Sequence, residues 1–297
     1  MFDICCIGHI TLDKVVTPKS TVHMAGGTSF YFSNAIKNMA IKYTLVTALA
    51  ESEMKFVTEL RAKGIDVNAL PSAHTVYFEN IYSHNVDHRT QRVLQTADPF
   101  TIEQLADVQA KIFHLGPLLA DDISTEVIKY LAEKSIVSLD VQGYLRKVEN
   151  ENVLAIDWPA KREALAYIDI LKANEHEMEV LTGSSDVREG SKILADWGVK
   201  EVIITLGSKG SVVYHQNTFY DIPAYLPKTV TDATGCGDTY MAGYLYQRVR
   251  NADLQTAGEF GAAMATLKIE SSGPFTGAHE DVAGLLKHGK KVMPVDI

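Results

Sequence analysis

The heptad Asp232-Ala233-Thr234-Gly235-Cys236-Gly237-Asp238 brings together two things that phosphoryl transfer needs. Glycines at 235 and 237 let backbone N–H groups turn toward an anion where the apolar-periodic run that follows, residues 239–245, would form a helix. Asp238 falls in the first turn of that helix, where its carboxylate could accept a proton from an attacking hydroxyl. A loop that only bound an anion would more usually carry a lysine, as the Walker loop does, so an acid beside a phosphate cradle points to catalysis. The heptad alone is compatible with a kinase and with an anion-binding site.

Other residues could complete such a site. Gly26-Gly27 leads into an expected helix that Thr28 or Ser29 would cap, and the glycine pair permits close backbone approach to a polyhydroxylated substrate or forms a simple turn. Asp13, shortly after the first apolar run, is either an acceptor for two hydroxyls of a sugar or polyol or a solvated loop carboxylate. Asp140, at the end of another apolar run, poses the same choice. Asn174 and Glu177 have the spacing of a capping box, or Glu177 helps to organise the waters of a hydrated Mg²⁺. Thr205-Leu206-Gly207-Ser208-Lys209-Gly210 joins two strands, either as a plain hairpin turn or as a turn that meets a nucleotide, and it is not a Walker sequence.

The elements that must position these groups alternate regularly. Residues 4–8, 44–48, 112–115, 136–139, 168–171 and 202–206 read as buried strands separated by helix-like stretches, which predicts a largely parallel sheet with helices on both faces. In such sheets ligands bind beyond the carboxyl ends of the strands, where Asp140, Asn174 and Gly207 fall. Residues 14–24 and 74–96 alternate polar and apolar instead, and read as strands of a small exposed sheet, either an ordinary edge hairpin or a lid that would exclude water from a reactive phosphate. Arg89 or Arg92 of that lid would supply a cation near the phosphate or remain solvated. With no repeat or linker, one domain carrying this insertion is expected.

Composition narrows the partners. The 297 residues are 46% hydrophobic and 22% charged, with net charge −9 and no cluster of Lys or Arg, which excludes a nucleic-acid or anionic-membrane surface and leaves a small molecule. Three cysteines are too few for a disulfide framework or zinc site, and Cys5 and Cys6 are expected simply to pack in a strand. Neither a signal peptide nor a membrane span is apparent, so a cytoplasmic location is expected. The open edges of the lid would suit a homodimer.

Together and in order, these motifs resemble those of the PfkB/ribokinase family of sugar and nucleoside kinases across nearly the whole chain. Asp232 to Asp238 stands where that family usually has Asp-Thr-x-Gly-Ala-Gly-Asp, Gly26-Gly27 resembles its N-terminal glycine pair, Asn174-x-x-Glu177 its magnesium-associated motif, and Thr205-Leu206-Gly207-x-x-Gly210 its nucleotide loop. The resemblance implies a ribokinase-like α/β fold, a three-layer αβα sandwich with a mostly parallel central sheet and a small β-sheet lid. It implies ATP as donor with Mg²⁺ held through water by Glu177, and Asp238 as catalytic base. Backbone N–H groups of Gly235, Cys236 and Gly237 would form an anion hole. The acceptor would lie near Asp13, Gly26, Gly27 and Asp140, and the nucleotide near Asn174, Thr205, Gly207, Gly210 and Asp232.

Departures from the pattern are informative. Thr28-Ser29-Phe30-Tyr31-Phe32-Ser33 is bulky where sugar kinases of the family often have an Asn and small residues, which argues against ribose or fructose. With Leu139-Asp140-Val141-Gln142-Gly143-Tyr144-Leu145-Arg146, it looks more like the myo-inositol kinase-like branch. Cys236 replaces the usual Ala at a position that acts through its backbone, so no thiol chemistry is expected. Asp238 argues against two alternatives, a non-catalytic sugar- or nucleoside-binding protein and a hydroxymethylpyrimidine- or pyridoxal-type kinase, which would have Cys there. The acceptor, ATP or ADP as donor, and the involvement of a monovalent cation stay open.

Overall fold

The six apolar runs become parallel neighbours in one sheet, in a computed structural model that describes residues 1–18, 20–82 and 89–292, with Tyr82 and Arg89 in backbone only. The chain begins with β1 (Phe2–Ile7), leaves it for the hairpin β2 (Thr11–Val16) and β3 (Thr21–Gly26), and returns through α1 (Thr28–Ile36) to β4 (Tyr43–Leu49). Helix α2 (Met54–Ala62) and β5 (Asp66–Pro71) precede a second excursion, β6 (Val76–Tyr82) and β7 (Arg89–Gln95). After the short α3 (Ile102–Leu105), β8 (Ala110–Leu115) and α4 (Thr125–Lys134) lead to β9 (Ile136–Asp140) and a third excursion, β10 (Arg146–Glu149) and β11 (Asn152–Ala155). The short α5 (Lys161–Leu165), β12 (Ile170–Asn174), α6 (Glu175–Thr182), α7 (Val187–Asp196) and β13 (Glu201–Thr205) continue the alternation. Strands β14 (Ser211–His215), β15 (Thr218–Ile222) and β16 (Ala224–Tyr225) follow. The helices α8 (Cys236–Val249), α9 (Leu254–Ile269) and α10 (His279–His288) then lead to β17 (Lys291–Val292), which pairs with β16.

The main sheet has the order β15-β14-β13-β12-β9-β8-β1-β4-β5, every pair from β13 to β5 being parallel and β14 and β15 antiparallel. Successive residues of β1 face opposite layers: Ile4 and Cys6 pack with α1, α8 and α9, whereas Cys5 and Ile7 pack with α4 and the helices beyond it. Both cysteines are fully buried, in line with a purely packing role. Side chains of Ser124, Asp186 and Asp253 accept backbone N–H groups at the starts of α4, α7 and α9, which fixes where those helices begin. Among the described residues, no helix is long and apolar enough to cross a membrane.

The three excursions form a second sheet of order β10-β11-β7-β6-β2-β3, packed around Val76, Phe78, Val93, Leu118 and Leu119. The expected lid segments 14–24 and 74–96 overlap β2, β3, β6 and β7 of this sheet, and residues 83–88 lie outside the described residues. Strands β10 and β11 were not expected: none of their side chains is buried, and the short apolar run Val153-Leu154-Ala155 of β11 lies on a largely exposed strand. The edge strand β5 escaped for a similar reason, having only Val67 fully buried. The strand expected at 168–171 is displaced to Ile170–Asn174, because the Ile168 N–H instead closes a turn onto Leu165 O. Helix α1 is capped by the backbone of Gly27, with Thr28 and Ser29 inside the helix rather than capping it.

Helix α8 is pinned to the sheet by a charged group. The buried Glu201 of β13 accepts the Tyr244 hydroxyl at 2.7 Å and the Arg248 guanidinium at 2.6 and 3.2 Å. Replacing Glu201 with Ala would strand the buried Tyr244 hydroxyl and leave the half-buried Arg248 only its bond to Ala252 O, so E201A should cost about 2–4 kcal/mol, read as a lower urea midpoint at an unchanged slope. A change of less than a few tenths would show that the network contributes nothing to stability.

Candidate active site

The heptad folds as a turn that delivers the chain into α8. Gly235 caps the helix at φ 78°, a conformation that favours glycine, and a Cβ there would stand 2.1 Å from the Tyr31 ring of α1. The Asp232 carboxylate shapes the approach: Oδ1 accepts the Thr234 N–H at 2.9 Å and Oδ2 the Gly273 N–H at 3.3 Å. The first N–H groups of α8 have no partners within the helix, so the N-terminus carries donors and a positive dipole end at Gly235 and Gly237, while the Cys236 N–H, expected in the anion hole, is donated to Ala233 O at 3.2 Å.

Beside this terminus the sheet places a cluster of charges. Register sets Lys172 of β12 directly next to Asp140 of β9, and the buried Lys172 Nζ donates to Asp140 Oδ2 at 2.9 Å. Glu177 Oε2 lies 4.0 Å from the same ammonium, and a Cβ on Gly237 would stand 3.3 Å from it. Burial alone would lower the Lys172 pKa, but Asp140, Glu177 and Asp238 outweigh it and hold the ammonium above its usual range. Burial pushes Asp238 up to about 7, and Asp140 adds to the shift, against the opposing pull of Lys172, a hydrogen bond from Thr28 and Arg146. Burial also raises Glu177 despite Lys172. The Cys236 thiol is pushed up to about 11, chiefly by burial, so it is protonated at neutral pH.

Two cavities meet at the turn. The larger, about 890 Å³, is lined by Asp13, Gly27, Asp140, Asp232, Gly235 and Asp238, among others. The smaller, about 240 Å³, is lined by Thr205, Gly207, Gly210 and Cys236 together with Tyr225 and Tyr240. Ala233 and Gly237 belong to both walls. An anion held at the α8 terminus would therefore be reachable from either side, with the Asp238 carboxyl on the larger side.

Most of the residues singled out in the sequence converge here, with several corrections. Asp13 lies on lid strand β2 rather than in a loop, and Oδ1 accepts the Thr11 hydroxyl at 2.6 Å. Gly26 ends β3 as the neighbour of Gly27 on the cavity wall. Asn174 and Glu177 form a reciprocal capping box, each side chain accepting the other's N–H at 2.8 Å, so the Asn174 side chain is engaged by α6 itself. The turn from Thr205 to Gly210 is at once a hairpin connection and a cavity wall. Arg92 does not reach the site: its guanidinium is held across the lid by Glu79 and Glu151. The Arg89 side chain lies outside the described residues.

Sequence reasoning missed Lys172 and the cation Arg146, which lines the larger cavity. It also missed the lid pair Asn80 and Gln91, whose side chains are hydrogen-bonded at 3.0 Å on the wall of that cavity. The signal for Lys172 was a charge inside an otherwise apolar strand, Ile170-Leu171-Lys172-Ala173.

Comparison with known proteins bears on the family and the fold. Residues 1–281 match the pfkB family carbohydrate kinase model. A cytidine kinase of Thermococcus kodakarensis is 26% identical over 285 residues, covering 93% of this chain and 99% of that protein. A pyrophosphate-dependent kinase in the ribokinase family, solved with a pyrophosphate analog and myo-inositol, superposes with TM-score 0.85 at 29% identity over 95% of this chain and 99% of its own. Arabidopsis thaliana ribokinase, solved with ribose and ATP, shares the fold with TM-score 0.82 at 22% identity, over 97% and 99% of the two chains.

The raised Asp238 pKa has a consequence for stability. Its folded value of about 7 exceeds the ordinary 3.8, so the folded state binds the proton more tightly, and the stability this confers is full below about pH 4 and lost as pH rises through 7. D238N lacks that loss. The variant should gain on the wild type progressively between pH 4 and 7, by on the order of 2–4 kcal/mol at pH 8, measured as urea midpoints across the range. A stability difference independent of pH would contradict the shift.

Proposed function

The chain belongs to the pfkB family of carbohydrate kinases, and on that premise we propose that it transfers the γ-phosphoryl group of ATP to a hydroxyl of a small polyol, myo-inositol foremost. The observation that carries this reading is Asp238, a carboxyl poised near pH 7 on the wall of the larger cavity and one residue from a glycine shared with the smaller one. The acceptor would occupy the larger cavity. Asp13, Asn80, Gln91 and Gln142 offer it hydrogen-bonding groups suited to several hydroxyls, and the similar structure that contains myo-inositol supports that choice. ATP would enter from the smaller cavity, where Tyr225, Tyr240, Ala262 and Ile269 provide apolar walls for a base.

In this arrangement Asp238 accepts the proton of the attacking hydroxyl, and the N–H groups of Gly235 and Gly237 stabilise charge on the transferring group. Lys172 keeps Asp140 neutralised and steadies Asp238. The lid strands would close over the acceptor and shut out water. The residues offer a magnesium ion a carboxylate but no cage: among the described residues no three His, Cys, Asp or Glu side chains are grouped so that they could hold a metal ion. That set fits an ion which keeps most of its water and travels with the donor phosphates, with Glu177 holding it through water, where it would neutralise charge on the phosphates.

A second reading, a nucleoside acceptor, draws on Tyr31 and Phe78, whose rings line the larger cavity and could hold a base, and on the similarity to a cytidine kinase. Product release separates the two readings. With ATP, ADP and pyrophosphate as donors and myo-inositol, ribose and cytidine as acceptors, the polyol reading expects ATP and myo-inositol to give the highest kcat/KM. Preference for cytidine would replace it.

For the wild type, kcat/KM should rise with pH along an acid limb centred near 7. D238N should lower kcat by at least ~10²-fold while leaving nucleotide binding nearly intact. Near wild-type turnover would remove Asp238 from the role of base. Because Lys172 lowers the Asp238 pKa, K172M should displace the acid limb to higher pH, and an unmoved limb would dissociate the two groups.

A further inference from the structure

Lys268, in the last turn of α9, is fully buried, and nothing above uses it. Its ammonium has three protons and no lone pair, and each proton has an oxygen in reach. Nζ donates to the backbone carbonyl of Asp232 at 2.8 Å and to that of Ser271 at 3.2 Å, and Asp232 Oδ2 lies 3.5 Å away. A lysine that served only its own helix would be spent on the carbonyls of the last turn. One of these bonds instead crosses to the first residue of the heptad.

The surroundings of Nζ are those of a bound ion. A fully buried ammonium is costly unless it is paired and hydrogen-bonded, and the oxygens that compensate this one come from two separate loops. Converging backbone carbonyls with a carboxylate are what a dehydrated potassium ion would require, since carbonyl oxygens replace its hydration shell. The residues around this point therefore do not fit a monovalent metal ion, because the side chain already fills their centre. The loops joined here are also those that shape the turn. Asp232 carries the Thr234 and Gly273 N–H groups on its carboxylate, and the N–H groups of Thr231 and Asp232 bond to Ile269 O at the end of α9.

We propose that Lys268 is a tethered cation: its ammonium stands in for a dissociable monovalent ion between the Asp232 and Ser271 carbonyls and holds the turn from Asp232 to Gly237 in its anion-binding shape. Lys268 is a positioning residue, acting through Asp232 on the N–H groups of α8. The kinase therefore works at the same rate whichever monovalent salt is present. This inference rests on the kinase reading for its activity measurement but not for its stability measurement.

The test compares potassium, sodium and choline chloride at equal ionic strength. Wild-type turnover and denaturation temperature should be the same in all three salts, within about twofold for the rate, because no ion site is left to fill. K268A opens the cage. Its turnover in choline should fall at least ~10-fold, potassium or ammonium ions should restore part of it, and the same ions, unlike choline, should raise its denaturation temperature. Activation of the wild type by potassium of more than about fivefold would overturn the proposal. So would a folded K268A that is fully active in choline, or one whose lost activity and stability no cation improves. If K268A does not fold, the wild-type salt comparison decides alone. Absence of phosphorylation in every salt would refute the kinase reading instead and leave the denaturation temperatures to judge Lys268.

Discussion

The carboxyl edge of the main sheet depends on one buried ammonium. Asp140, Glu177 and Asp238 bring three carboxyl groups toward the same space, and Lys172 is the cation placed among them by strand register. Arg146 adds a second positive charge at longer range. Cations are outnumbered, and Asp238 absorbs the excess by holding its proton to about pH 7. Without Lys172, Asp140 would be a buried carboxylate that loses its ion-pair partner among the described residues, and Asp238 would bind its proton more tightly still. An incoming phosphate adds negative charge to a region already rich in it, which is why the partial positive charge at the α8 terminus matters.

Around this centre the architecture divides space. A single turn, five residues long from Ala233 to Gly237, serves as a wall for both cavities, so donor and acceptor would approach it from different sides. Behind it, Tyr31 fills the room that a side chain at Gly235 would need. The lid is internally braced: the buried Glu79 of β6 accepts Lys14 Nζ of β2 at 2.8 Å and Arg92 Nη1 of β7 at 3.1 Å, which ties three strands into one plate. Between β1 and β2 run Gly8, His9 and Ile10, all buried, so the plate is anchored in the core where it leaves the main sheet.

The sequence made the local devices readable. Glycines that open a helix, a capping box and apolar strand runs depend on neighbours within a few residues, and the start of α8 at Gly235, the Asn174–Glu177 box and the parallel core could be recognised from such patterns. Groups whose meaning depends on distant partners were harder to see. Lys172 reads as an oddity in a core strand until β9 places Asp140 beside it. Lys268 reads as an ordinary helix-end lysine until Asp232 folds back over it. Arg92 was conspicuous as a cation in a lid, yet Glu79 and Glu151 claim it. Strands β10 and β11 gave no periodic signal because none of their residues is buried.

The pairing of α1 with α8 also bears on how the protein is made. All nine residues of α1 are buried, and the helix packs against α8, about 200 positions further along the sequence. Translation proceeds from the N-terminus, so α1 leaves the ribosome long before the helix that covers it exists. A nascent chain can lay α1 on its early strands, but the face that α8 covers stays open until that helix arrives. Contacts of such long range close slowly. The last steps of folding thus form the turn from Asp232 to Gly237 and cover that helix at once, which makes chains truncated before α8 prone to aggregate.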